Sequence, residues 1–130
     1  MYLTNLHATT TIPQEENNKL NVVTSVAPIL YIVQNIGGDK INLIGLVPEG
    51  VNSHTFQLIP SDAIKINAAD LVIIDGLNLE ADVEKTTENA IAKNPSIHLL
   101  KLGDNTITQD HWIFDFSFQK KKVIQILIYG

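Results

Sequence analysis

Hydrophobic positions along this chain switch between two spacings, and the switching repeats. Leu20 to Val26 is a β-branched run that predicts a strand. Pro28 follows at a place suited to the first turn of a helix, where its missing amide hydrogen costs nothing. Ile29, Ile32, Val33 and Ile36 then fall at i, i+3, i+4 and i+7, one apolar helical stripe. Gly37-Gly38 supplies the left-handed cap that ends it. Ile41 to Val47 repeats the strand pattern, and Pro60 to Ala69 predicts a second helix with Ser61 as its cap. Leu71 to Ile74 is apolar without alternation, as expected of a strand covered on both faces. Leu79, Val83, Ala90 and Ile91 mark the inner stripe of a third helix ending near Asn94-Pro95, and Ile97 to Leu100 predicts a fourth strand. Strand and helix alternate throughout. The pattern predicts an α/β fold, a four-stranded and mainly parallel sheet flanked by helices.

The two ends depart from this pattern. Thr9 to Asn18 is polar with almost nothing to bury, so residues 1–19 are expected to be a disordered lead or linker. Ile107 to Phe118 places Trp112, Phe114, Phe116 and Phe118 at alternate positions, which fits an extended segment with one apolar face. The ordered lobe is therefore expected over residues 20–118. Val123 to Tyr129 follows three lysines and is almost wholly β-prone, an aggregation hazard if left uncovered. Residues 119–130 thus read as an aberrant tail.

Composition narrows the function classes. A chain of 130 residues suits one domain with a modest core, and 45% hydrophobic with 18% charged residues marks it as globular. A formal net charge of −5 leaves no basic footprint for nucleic acid. The lack of cysteine excludes disulfides and thiolate metal sites, and it leaves the redox compartment open. No apolar run approaches the roughly 18 residues of a membrane span. The first twenty residues also lack the apolar core of a secretory signal, so the chain as written is expected to stay in the cytoplasm.

Candidate chemistry centres on His54. It follows Ile41–Val47 and precedes Pro60–Ala69, so it belongs to a loop at the carboxyl end of a strand, where parallel α/β sheets bind ligands. A neutral imidazole there can donate a ring nitrogen to a metal such as zinc. Glu49 is either a second oxygen ligand or, the favoured reading, a solvated carboxylate. Asp75, at the end of the third strand, either orients the imidazole or, more simply, forms the turn before Gly76. Glu80 opens the third helix, where the helix dipole favours a carboxylate. His98 reads as a packed or edge residue of a strand; His7 lies in the lead, and His111 precedes Trp112. The four histidines show no short ligand spacing. No phosphate loop, nucleophile elbow or cofactor motif supports an enzyme.

Three stretches together resemble a known family. Lys19-Leu20-Asn21-Val22-Val23-Thr24-Ser25-Val26-Ala27-Pro28-Ile29 is similar to the start of the zinc- and manganese-binding proteins of ABC importers. Pro48-Glu49-Gly50-Val51-Asn52-Ser53-His54-Thr55-Phe56 resembles their first metal-ligand motif. Ser61-Asp62, Ala69-Asp70-Leu71-Val72-Ile73 and Gly76-Leu77-Asn78-Leu79-Glu80 resemble the segment after it. The resemblance covers about residues 19 to 118. It implies one lobe of a two-lobed, extracytoplasmic solute-binding protein that holds zinc or manganese and delivers it to a membrane permease, with His54 as a metal ligand. It also implies a second histidine in a later Asn-Pro-His-Leu-Trp motif and further ligands from a second lobe, for which this chain has no counterpart.

The tail bears on that gap. Written as GTG ATC CAA ATC CTC ATT TAT GGN after a lysine codon ending in G, Val123 to Gly130 becomes Gly-Asp-Pro-Asn-Pro-His-Leu-Trp when read one base earlier. The expectation is a one-base frameshift within the codons for Lys120-Lys121-Lys122, leaving a truncated fragment inactive as a carrier. The alternative is a single-domain α/β interaction or regulatory module without a transport role.

Overall fold

The computed structural model describes residues 19–106 and Ile128. The expectations for the lead, for Ile107–Phe118 and for the tail other than Ile128 fall outside those residues, as do His7 and His111.

The elements run β1 (Leu20–Thr24), α1 (Ala27–Gly37), a 3₁₀ turn at Gly38–Lys40, β2 (Ile41–Gly45), α2 (Pro60–Asn67), β3 (Leu71–Ile74), α3 (Ala81–Lys93), β4 (His98–Lys101) and the short α4 (Leu102–Thr106). The strands form one four-stranded sheet in the order β2-β1-β3-β4, with all pairs parallel. Val22 lies between Leu43 of β2 and Leu71 of β3, and Leu71 faces His98 of β4. The expected α/β class therefore holds, and the sheet is parallel throughout.

Each face of the sheet has its own core. Val22, Leu71, Ile73 and Leu100 point to one side, where Ile29 and Val33 of α1 cover them. Val23, Val72 and Ile74 point to the other, against Ile66 of α2 and Val83 and Ala90 of α3. This explains the missing alternation in Leu71–Ile74: all four side chains are buried, two on each face. Burial of that kind stabilises by roughly 1.5–3 kcal/mol per large aliphatic side chain. Ile128 is half-buried against the α1-side cluster, so this residue of the β-prone run is not left uncovered.

Three local expectations need correction. The second helix is capped at Ile59, not Ser61: Pro60 takes the first helical position, and Asp62 reaches back so that its Oδ2 accepts the Ile59 amide at 3.2 Å. The carboxylate, also held by Lys65 Nζ at 2.9 Å, satisfies an amide that the helix cannot. That helix stops at Asn67, before Ala69. The third begins at Ala81, which leaves Leu79 outside it and 38% exposed.

Candidate functional site

The order β2-β1-β3-β4 fixes where a ligand can sit. From β1 the chain moves to one side through β2 and returns to the other through β3, so the crevice between these connections opens at the carboxyl ends of the strands. Two connections border it, 46–59 after β2 and 75–80 after β3.

The first begins as an extension of the sheet. Leu46 donates its amide to Thr24 O at 2.9 Å and Val47 to Ser25 O at 2.8 Å, and both side chains are buried. Ladder pairing therefore reaches Val47, as the apolar run predicts, although the regular strand ends at Gly45. The chain then turns out to solvent. Asn52 organises the next stretch: its Oδ1 accepts the His54 amide at 2.9 Å, and its carbonyl accepts the Thr55 amide at 3.2 Å and hydroxyl at 3.3 Å. An asparagine that mimics a backbone turn in this way sets the main chain at His54. The imidazole itself is exposed.

The second connection is compact and held from two sides. Gly76, Leu77 and Asn78 are successive left-handed residues with φ of 79°, 57° and 60°. For Leu77 that conformation is unfavourable by roughly 1–2 kcal/mol. The surroundings hold it. Glu80, only 5% exposed, accepts the Asp75 amide through Oε2 at 2.9 Å. Asp104 Oδ1 accepts the Leu77 amide at 3.3 Å, and Gly103 donates its amide to Asp75 O at 2.7 Å.

Between the two lies a pocket of about 190 Å³, lined by Ser53, His54 and Phe56 from the first connection, by Asn78 and Glu80 from the second, and by Asp82 at the start of α3. His54 and Glu80 are thus brought to one cavity. Glu49 and Asp75 are not among its lining residues. Glu49 is exposed and accepts a hydrogen bond from the Tyr31 hydroxyl at 3.0 Å, which raises the Tyr31 pKa. Asp75 opens the left-handed turn, as its bland reading expects. His98 is exposed at the opposite, amino edge of the sheet, with its amide on Asp70 O at 3.0 Å. The two described histidines are therefore at opposite ends of the strands and cannot share an ion. Among the described residues no group of three or more His, Cys, Asp or Glu side chains is placed to hold a metal. The geometry sets one imidazole across a pocket from two carboxylates, Glu80 and Asp82.

Ser25 and Asn78 entered the sequence reading only as members of family-like stretches, and Asp104 not at all. Ser25 directly follows β1 at the centre of the edge, fully buried, and its Oγ meets no hydrogen-bond partner among the described residues. Of the pocket's carboxylates, Glu80 was read individually as a helix-dipole partner, and Asp82 was not singled out.

The lobe is thus doubly wound and parallel, with a histidine-bearing loop at its carboxyl edge. Comparison with known proteins gives its family. The family model described as zinc-uptake complex component A, periplasmic (ZnuA) matches residues 22–117, and the chain belongs to this family. Over 81 residues the chain is 43% identical to the manganese ABC transporter substrate-binding lipoprotein ScaA of Streptococcus gordonii, a match that covers 59% of this chain and 26% of that protein. A manganese-bound periplasmic metal binding protein from Candidatus Liberibacter asiaticus is similar in structure with a TM-score of 0.58 and 32% identity, over 69% of this chain and 34% of that one. The periplasmic zinc binding protein TroA from Treponema pallidum has a TM-score of 0.70 at 22% identity, over 82% of this chain and 42% of its own, a likeness of fold. The chain spans about a quarter of the length of the curated relatives it matches.

Proposed function

We propose that residues 20–118 form the N-terminal lobe of a metal-ion-binding component of an ABC-type importer, with zinc or manganese as cargo and a membrane permease as partner. The observation that carries this reading is His54, which is presented on the β2–α2 loop to a pocket whose far wall is Asn78, Glu80 and Asp82. Family membership and the metal-binding relatives support it. The chemistry is coordination without turnover. Neutral His54 would donate one ring nitrogen, at about 2.0–2.1 Å for zinc. The parent protein would work outside the cytoplasm, as a lipoprotein relative's name suggests.

One imidazole does not make a tight site. Affinity comes from several donors held in place, and ion selectivity from their type and geometry. The chain by itself is therefore expected to bind zinc weakly, through His54. Titrating zinc into the full chain while following its histidine ring resonances by NMR tests this. The His54 signals are expected to shift at high metal concentration, and the response to vanish in His54→Ala. A response confined to another histidine, or one that survives His54→Ala, would sink the assignment.

A further inference from the structure

The loop that carries His54 is mostly exposed from Pro48 to Leu58, and its hydrogen bonds are nearly all with itself. Val51 bonds Pro48, and His54 and Thr55 bond Asn52. Among the described residues, one hydrogen bond leaves this stretch: Tyr31 of α1 donates its hydroxyl to Glu49 Oε2 at 3.0 Å. Tyr31 is 48% exposed, so its ring is not there to fill a core. The helix carrying it is anchored independently, because Ile29 and Val33 are buried beneath the sheet. The Tyr31 hydroxyl is thus a fixed point on a rigid element. It holds the loop one residue before Gly50, where φ is +79° and a Cβ would meet nothing within 4 Å, so no packing directs the chain there.

We propose that Tyr31 and Glu49 form a latch in which Tyr31 is a positioning residue: it pins the start of the loop to α1 and so restricts where His54 can stand over the pocket. The inference that this matters for cargo rests on the metal-binding reading above; the latch itself does not. Acceptance by the carboxylate also raises the Tyr31 hydroxyl above its ordinary 10, which extends the donor form of the phenol further into alkaline pH. Glu49 thereby acquires a role distinct from metal ligation.

The test uses the full chain with three variants, Tyr31→Phe, Glu49→Ala and Glu49→Gln, and two readouts. Backbone ¹⁵N relaxation reports the order of residues 49–56 without metal, and the His54 ring shift reports binding of zinc. Tyr31→Phe and Glu49→Ala are expected to lower loop order while the sheet amides stay as they are. Both should weaken zinc binding by about two- to tenfold, the equilibrium effect of one solvent-exposed hydrogen bond. Glu49→Gln retains an acceptor oxygen and is expected to restore loop order. Loop order in Tyr31→Phe equal to that of the unmodified chain overturns the latch whatever zinc does. So does loosening that spreads equally to the sheet, or Glu49→Gln behaving as Glu49→Ala. A loosened loop in a chain whose His54 never responds to zinc supports the latch and removes the metal-binding reading instead.

Discussion

Gly50 and Gly76 share one backbone angle, φ +79°, in two connections at the same edge of the sheet, and little else about them agrees. A Cβ on Gly50 would meet nothing within 4 Å, whereas one on Gly76 would lie 3.0 Å from Lys101 Cβ and 3.3 Å from Asp104 Oδ1. The first glycine belongs to the exposed loop that presents His54, tied mainly by its own turns. The second belongs to a turn wedged between β4, α4 and the buried Glu80. The difference teaches how the edge divides its work. A loop tied mainly to itself carries the exposed His54, and a turn braced from two sides gives it a surface to face.

Removing the wall's internal brace should have the largest effect. Glu80→Ala leaves the Asp75 amide without that acceptor and opens space beneath it, and a loss of about 2–3 kcal/mol is expected. The urea midpoint should fall at unchanged slope. A change no larger than that of a surface substitution would mean that the wall is not stiff. The next test sets the two glycines against each other. Both alanine variants carry the left-handed penalty of about 1 kcal/mol, but Gly76→Ala must also shift Lys101 or Asp104 and is expected to lose about 2 kcal/mol. Gly50→Ala should stop near 1 kcal/mol, and equal losses would break the comparison.

The smallest effect concerns the wall's outer support. Lys101 bonds Glu84, with Glu88 at 3.9 Å, and the hydrogen bond to Glu84 raises the Lys101 pKa above its ordinary 10.5. Because the folded value is the higher one, this stabilisation is complete below pH 10.5 and is lost as pH rises through the folded value. Denaturation midpoints measured across that alkaline window should fall less steeply in Glu84→Gln than in the unmodified chain. Identical slopes would show the pair to be without consequence.

Much of the fold was readable because its physics is local or periodic. The stripe Ile29, Ile32, Val33 and Ile36 belongs to α1, and the uniform run Leu71–Ile74 is the buried strand it was expected to be. The misplaced cap at Ser61 shows a limit of another kind. A Pro at the first helical position with a carboxylate two residues later was visible in Pro60-Ser61-Asp62, but choosing between neighbouring polar residues depends on which one reaches back to Ile59. Leu79 fits the spacing of a helical stripe, yet the left-handed run at Gly76–Asn78 uses up the residues that spacing assumed to be helical. Nothing local favours Leu77 in that conformation; contacts from Glu80 and Asp104 impose it.

By itself the sequence determined the alternation of elements and the parallel sheet they imply, and it singled out His54 as the candidate donor, because hydrophobic spacing and side-chain type are written in the chain. Only the tertiary structure decided the company His54 keeps. It set Glu80 and Asn78 across a pocket from it, drew Glu49 away to Tyr31, and sent His98 to the far edge. Those outcomes depend on strand order and on how two connections fold over one sheet edge, and residues distant in sequence meet there through packing that no local spacing records.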